Sequence, residues 1–376
     1  MKKSLLALAV ASIAAASAAS AATVYDKDGT SMEVYGRVQA VAYSTHGSEA
    51  MGSNSYYDNS IQTSGRLGLN LRTPLTDNIA AFANAEWDVA DNDGTRDDNG
   101  DDSFSARYLF VGADFGKYGA LQAGRFEDAI YQGVTAYTDV YEDWGCYGQL
   151  ADGDKRDGMI MYSWSGFGFD FAATYGTAKD AQSVEGAWYS DEELDIDNSY
   201  SVAVGYSSPD VLFGPISVRL GFGSAHFQDD VGSAIYDSFG NNVTYDRYNQ
   251  YAALLSWGSI DVGPYVAAMY NIRDFSMVNS DLDYKVQGVE AVFAYGFECG
   301  VSIRTGYQWL NNDPDNEQVS GYKNSDAHII PVYVNYDVSP NFNVWAEARF
   351  DAGTDDDFVD DTLTENTYSV GARYTF

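Results

Sequence analysis

Two stretches near the end of the chain alternate so strictly that few folds remain open to them. Val301, Ile303, Thr305, Tyr307 and Trp309 share one side of an extended chain, with Ser302, Arg304, Gly306 and Gln308 on the other. Val344, Ala346, Ala348 and Phe350 likewise oppose Asn343, Trp345, Glu347, Arg349 and Asp351. A soluble β-sandwich would need its inner face apolar. Here one face carries Arg304, Glu347 and Arg349 with little apolar relief, and the other is greasy throughout. That pattern predicts a wet interior and a lipid-contacting exterior, the inverse of a sandwich. The last residues, Tyr368 to Phe376, alternate in the same way and place Arg373 on the polar side.

The start of the chain sets the compartment. Lys2-Lys3, an apolar core from Leu5 to Ala11 and the small-residue run Ala19-Ser20-Ala21 read as a secretory signal peptide over 1–21, removed before Ala22. An exported protein of a bacterial envelope is expected. No later window offers the roughly 18 consecutive apolar residues of a membrane helix. A membrane protein without such helices must close its strands into a barrel, because lipid cannot satisfy a free strand edge.

Strand-like runs fall at 33–44, 61–73, 79–90, 103–114, 119–125, 159–165, 169–178, 198–207, 215–226, 247–258, 262–273, 285–296, 301–310, 327–337, 343–352 and 365–376. The count is even, and most runs approach the roughly 9–11 residues that a tilted strand needs to cross a bilayer. Turn-sized connections such as Phe115 to Gly119 and Ser165 to Gly168 alternate with long acidic ones at 91–102, 179–197, 227–246, 311–326 and 353–364. The predicted fold is all-β: a 16-stranded antiparallel transmembrane β-barrel over 22–376, short turns at one rim and long loops at the other. Pro331, on an inner face, suggests a bulge. The small residues of 34–42 and 81–85 suggest that the first strands meet a neighbouring subunit. Tyrosines near strand ends, including Tyr35, Tyr43, Tyr265, Tyr368 and Tyr374, suit the bilayer interfaces, with some pointing inward.

Charge excludes some functions. Lys and Arg number 21 against 55 Asp and Glu, a net charge of −34. Nucleic acid binding needs clustered cations and is not expected. His46, His226 and His328 are the only histidines, with no nucleophile motif and no His-Glu-x-x-His, so no enzyme is expected. No cofactor or metal is implied: the acidic run Asp91 to Asp102 lacks the glycine that a calcium loop needs at its sixth place. Cys146 and Cys299 are expected unpaired.

One connection, 126–158, breaks the rhythm. It carries Tyr131, Tyr137, Tyr141, Trp144 and Tyr147 among carboxylates, and so many rings would be costly in water. Folded into the barrel, the segment would bring Asp139, Glu142 and Asp143 opposite inward-facing Arg37, Arg66, Arg107, Arg125 and Arg156.

At these residues the chain resembles the general diffusion porins of Gram-negative outer membranes. Ala22-Thr23-Val24-Tyr25-Asp26-Lys27-Asp28-Gly29, followed by Val34-Tyr35-Gly36-Arg37, is similar to that family's opening. Tyr137 to Gly145 is similar to its constriction loop, with Glu142-Asp143-Trp144-Gly145-Cys146 where the family usually has Pro-Glu-Phe-Gly-Gly. The resemblance implies a homotrimer with one pore per subunit and a terminal Phe376 read by the barrel assembly machinery. It implies that Arg37, Arg66 and Arg107 form the wall's basic cluster, with Arg156 a weaker match. Asp139 and Asp143 would be the loop's acidic pair, and Glu142 an extra carboxylate. The expected function is passive diffusion of ions and small hydrophilic solutes, with cations preferred. Outer-membrane lipid and lipopolysaccharide are the expected surroundings, divalent cations bridging the acidic loops being one mode of contact. A substrate-specific sugar channel, with Trp144 and Trp345 in an aromatic stripe, is the alternative.

Overall fold

A computed structural model describes residues 21–44, 61–90, 104–150, 155–182, 184, 194–228, 235–236, 242–278, 283–314, 324–355 and 361–376. The predicted signal peptide, apart from Ala21, lies outside the described residues. So do His46, the acidic run 91–102 and parts of the other long connections.

Sixteen strands form a closed antiparallel ring. They are β1 (Thr30–Tyr43), β2 (Ile61–Thr76), β3 (Ile79–Ala90), β4 (Ser105–Asp114), β5 (Ala120–Phe126), β6 (Arg156–Gly166), β7 (Phe169–Gly176) and β8 (Leu194–Ser207). The second half holds β9 (Ile216–Phe227), β10 (Tyr245–Gly258), β11 (Gly263–Met277), β12 (Asp283–Gly296), β13 (Val301–Pro314), β14 (Ser325–Ser339), β15 (Phe342–Asp351) and β16 (Thr367–Thr375). Each strand pairs with the next, and β16 returns to β1 through Arg37↔Thr375 to Tyr43↔Ser369. An arm, Ala22–Lys27, pairs with the start of the same β1 edge, Ala22 lying opposite Val34. The arm and β16 therefore share one edge end to end, and Phe376 exchanges both backbone bonds with Gly36, at 2.8 and 2.9 Å. No helix among the described residues is long and apolar enough to span a membrane; the crossing is made by strands.

The alternation read in the sequence is the alternation of burial. In β14, Ile330, Val334 and Tyr336 are exposed, whereas Ile329, Tyr333 and Asn335 are buried. In β15, Trp345, Glu347 and Arg349 are buried within the barrel. Leu220, Leu255, Phe293 and Val370 belong to the apolar outer wall. Pro331 is on the inner side, as its parity requires, but the expected bulge is absent. The pairs Thr305↔Val332 and Gln308↔Ile329 keep one register across it, and Pro331 stays opposite Arg349. Several tyrosines assigned to strand ends lie inward: Tyr35, Tyr43 and Tyr265 are buried, while Tyr368 and Tyr374 face out. Tyr35 closes over Gly68, where an added Cβ would sit 2.1 Å from the ring. Neither Cys146 nor Cys299 is in a disulfide, as expected.

Candidate functional site

The segment between β5 and β6 lies against the inner wall, and its first half is an apolar plug. Asp128 caps a short helix, α1 (Ala129–Gly133), by accepting the Tyr131 N–H at 2.9 Å. A single 3₁₀ turn, Thr135–Tyr137, follows. Ile130 and Val134 are fully buried with Ala203, Ala252, Leu254 and Met269 of β8, β10 and β11. Gly223 on β9 leaves the space for Ile130: a Cβ there would lie 2.8 Å from the Ile130 Cδ1.

The second half is held by hydrogen bonds. Glu347 on β15 accepts the backbone N–H groups of Glu142, Asp143 and Trp144 at 3.0, 3.0 and 2.8 Å. Glu290 on β12 accepts from Gly148 N at 3.2 Å and from the Gln149 side chain at 2.9 Å. Asn271 on β11 accepts from Leu150 N at 2.7 Å and donates to Gly148 O, also at 2.7 Å. Arg304 donates to the Val140 carbonyl and Arg273 to that of Leu150. Trp144, completely buried, sits with Tyr43, Tyr265 and Trp345. Cys146 adopts φ +71°, a left-handed conformation that glycine takes without strain. The backbone thus turns at the place where the resembling family carries its second glycine.

The carboxylates of this segment are not equivalent. Glu142 is gripped by the Arg373 guanidinium, which donates to both of its oxygens, one at 3.0 Å. Burial alone would raise the Glu142 carboxyl, but Arg373, with Arg37 and Arg304 near, outweighs burial and holds it below the ordinary glutamate range. Asp143 receives Tyr43 Oη–H at 3.1 Å and Ser369 Oγ–H at 2.5 Å. Burial raises the Asp143 carboxyl, those two donors offset part of the effect, and the Glu142 charge adds to it. Asp139 accepts from Tyr131 Oη at 2.5 Å within the segment.

Arg37, which faces Glu142, lies among arginines of three other strands, Arg66, Arg107 and Arg373. Arg37 and Arg66 are register partners on β1 and β2. Arg66 pairs with Asp88 at 2.8 Å, and Arg107 with Glu86 at 2.9 Å and Asp88 at 3.2 Å. Arg37 lies within electrostatic range of Arg66, Arg107, Arg373 and Glu142, yet has no ion-pair partner among the described residues, and its Nε is buried without an acceptor.

Of the eight residues singled out in the sequence, Arg37, Arg66, Arg107 and Glu142 come together, with Asp143 beside Glu142. Arg125 and Arg156 lie elsewhere. The ladder shifts register between Gly124 and Phe126, and Arg125 pairs with Asp157 at 3.0 Å. Arg156 is buried against Ser199 on β8. Asp139 faces the β12 side, near Glu290. Arg373 and the anchors Glu290 and Asn271 were not singled out. Arg373 carried a signal, its place on the polar side of the last strand. Trp144 and Trp345, considered for an aromatic stripe, are instead buried where the segment packs on the wall.

A closed barrel with an apolar wall outside and arginine and carboxylate side chains inside defines an outer-membrane channel. A family model described as Gram-negative porin matches residues 7–357, and the chain belongs to that family. The outer membrane porin PhoE of Citrobacter freundii is 27% identical over 392 residues, with both chains covered in full. Among solved structures, Salmonella typhi OmpF in complex with daunomycin superposes with a TM-score of 0.71 at 19% identity, covering 94% of this chain and all of that one. The trimer form of Vibrio cholerae OmpT superposes with a TM-score of 0.64 at 14% identity, covering 92% and 99%. The protein is an outer-membrane β-barrel through which small solutes pass by passive diffusion.

Proposed function

We propose that the gap between residues 139–147 and the arginines of β1, β2, β4 and β16 is the constriction of a cation-preferring diffusion channel. The observation that carries this reading is Glu142, seated on Arg373 and facing Arg37, with Asp143 alongside. Opposite charges set across a narrow water column produce a transverse field that small polar solutes can align with, and that apolar solutes cross only by disrupting ordered water. Arg66 and Arg107 are already met by Asp88 and Glu86, and Arg373 by Glu142. The wall's positive charge is therefore largely compensated, and the chain as a whole carries −34. Cations gain from that surplus.

Reversal potential across a planar bilayer under a salt gradient tests the reading; preference for anions would overturn it. Neutralising Asp139 and Asp143 together should reduce the preference. A homotrimer with the small outward residues of β1 and β3 at its interface belongs to the same proposal, supported by the trimer form of OmpT. Cross-linking in native membranes would test it. Removal of residues 1–21 on export completes the reading, and the mass of the mature chain tests it.

A further inference from the structure

Two short turns carry side chains that their backbone geometry argues against. In the hairpin that joins the arm to β1, Asp28 and Gly29 take φ +53° and +80°, residues suited to a turn with both central positions left-handed. The β6–β7 turn has the same geometry at Phe167 and Gly168, φ +57° and +85°, but its first position holds a phenylalanine that is 95% exposed. The β8–β9 connection tightens to a two-residue turn at Leu212-Phe213, closed by Val211 N to Gly214 O at 2.8 Å. Leu212 there has φ +60° and is 89% exposed. Bulky residues are rare in the left-handed region, and strain of that kind persists where surroundings repay it. Within the chain, neither tip is repaid by burial.

The surroundings of these tips indicate what repays them. Phe213 stacks on Trp257 at 4.0 Å, and Trp257 Nε1 donates to Val211 O at 2.8 Å, which holds the Leu212 turn on the outer face of β10. The Phe169 and Tyr206 rings lie tilted against each other, centroids 4.8 Å apart, beside the Phe167 turn. These rings continue directly into the lipid-facing wall of Val218, Leu220 and Leu255. At the β2–β3 and β14–β15 turns of the same rim the tips are Asp77-Asn78 and Pro340-Asn341, ordinary water-facing turn residues. Apolar tips thus occupy one sector of the short-turn rim, contiguous with bilayer-contacting surface.

We propose that Phe167 and Leu212 are lipid anchors, inserted among the glycerol and upper acyl groups of the phospholipid leaflet on the short-turn side. Amphipathic rings at a strand's end can rest at the headgroup level. These tips sit at the ends of the strands, where the apolar wall meets the headgroups.

The full chain in native outer membranes, with the photoreactive residue p-benzoylphenylalanine replacing Phe167 or Leu212, tests this directly. Illumination should give adducts with the mass of a phospholipid at both positions and none at Asn341. Adducts to a second protein, or none with lipid, would overturn the proposal. The double variant Phe167→Asn, Leu212→Asn tests it by stability. In detergent its unfolding temperature should match or exceed that of the unsubstituted chain, because the turns are relieved. In phosphatidylethanolamine–phosphatidylglycerol vesicles it should fall several degrees below. An equal change in both media would assign the tips a purely internal role and sink the idea.

Discussion

The inward-lying segment is attached to the wall by two different materials. From Ala129 to Thr138 the contact is mainly aliphatic: Ile130 and Val134 seated over glycines and small residues of β8, β9 and β10. From Asp139 to Leu150 it is polar, with Glu347, Glu290 and Asn271 taking backbone N–H groups and Arg373 taking Glu142. Apolar seating responds little to pH and to moderate ionic strength, whereas polar seating responds to both. The charged residues lie on the second half. The half fixed by apolar contact is thus distinct from the half that sets the field, and the apolar half can be changed with limited effect on the charged one.

The sharpest way to break this division is Glu347→Ala. Three N–H groups lose their acceptor, and the buried one of Trp144 alone costs about 1–3 kcal/mol. Heat stability should drop, and single-channel conductance should rise as 142–144 leave the wall. Unchanged conductance would mean that the polar half is held by something other than this carboxylate. Ile130→Ala comes next. It should cost about 2–4 kcal/mol of stability and leave the reversal potential unaltered; a shift in selectivity would show that the two halves are not separable. Glu142→Gln should act in the opposite sense, on selectivity more than on stability. One charge at about 10 Å in water is worth ~0.4 kcal/mol to a passing cation, roughly a twofold fall in the cation-to-anion permeability ratio. The reversal potential measures it.

The wall shifts the two neighbouring carboxylates in opposite directions. Burial lifts the Asp143 carboxyl, so on acidification it takes its proton earlier than a free aspartate does. Glu142, held down by Arg373, keeps its charge below the ordinary glutamate range. Cation preference should therefore begin to fall above the free-aspartate range and go on falling below the ordinary glutamate range. The stability signs differ as well. The folded state binds more protons than the unfolded one at Asp143, so this group costs stability as pH rises through its raised value. At Glu142 the folded state binds fewer. Its contribution is present above the ordinary range and is lost as pH falls through the depressed value. A loss of preference already complete above the ordinary glutamate range would contradict the assignment. The smallest effect is expected at Arg125→Ala, which removes a half-exposed ion pair with Asp157 worth up to ~1 kcal/mol and should leave selectivity nearly untouched.

Much of the architecture was written locally. All sixteen strands occur where alternation and turn residues placed them, and β3 spans 79–90 as read. Period-two patterning is a property of neighbours in sequence, so it survives without knowledge of the fold. The candidate site was legible only in part. The aromatic density of 126–158 marked it as the inward segment, and alternation puts Arg37 and Arg66 inside; Arg107 was assigned by resemblance, and it reaches Glu86 and Asp88 beside a register shift between Glu86 and Trp87 that alternation does not show. What grips the segment was not legible, because Glu142 meets Arg373 across 231 positions and Trp144 meets Glu347 across 203. Arg125 was read as inward, but it shares the parity of the exposed Leu121 and Ala123, stands opposite the exposed Leu109, and meets Asp157 instead. Pro331 shows the converse error: a residue that removes one ladder donor need not displace the strand when its neighbours keep their pairs.

The shared edge of β1 has a consequence for how the barrel is made. Its lower part is occupied by the arm, its upper part by β16, and Gln39 meets Arg373 across 334 positions. Zipping along successive hairpins can complete every other seam early, but this one waits for the last strand to arrive. Until then β1 presents open donors and acceptors beyond the arm, and the half-built sheet must be chaperoned or sheltered at that lip. A version with its ends joined beside Gly36 and new ends cut in an outer loop would move the final seam elsewhere while leaving the finished cylinder the same.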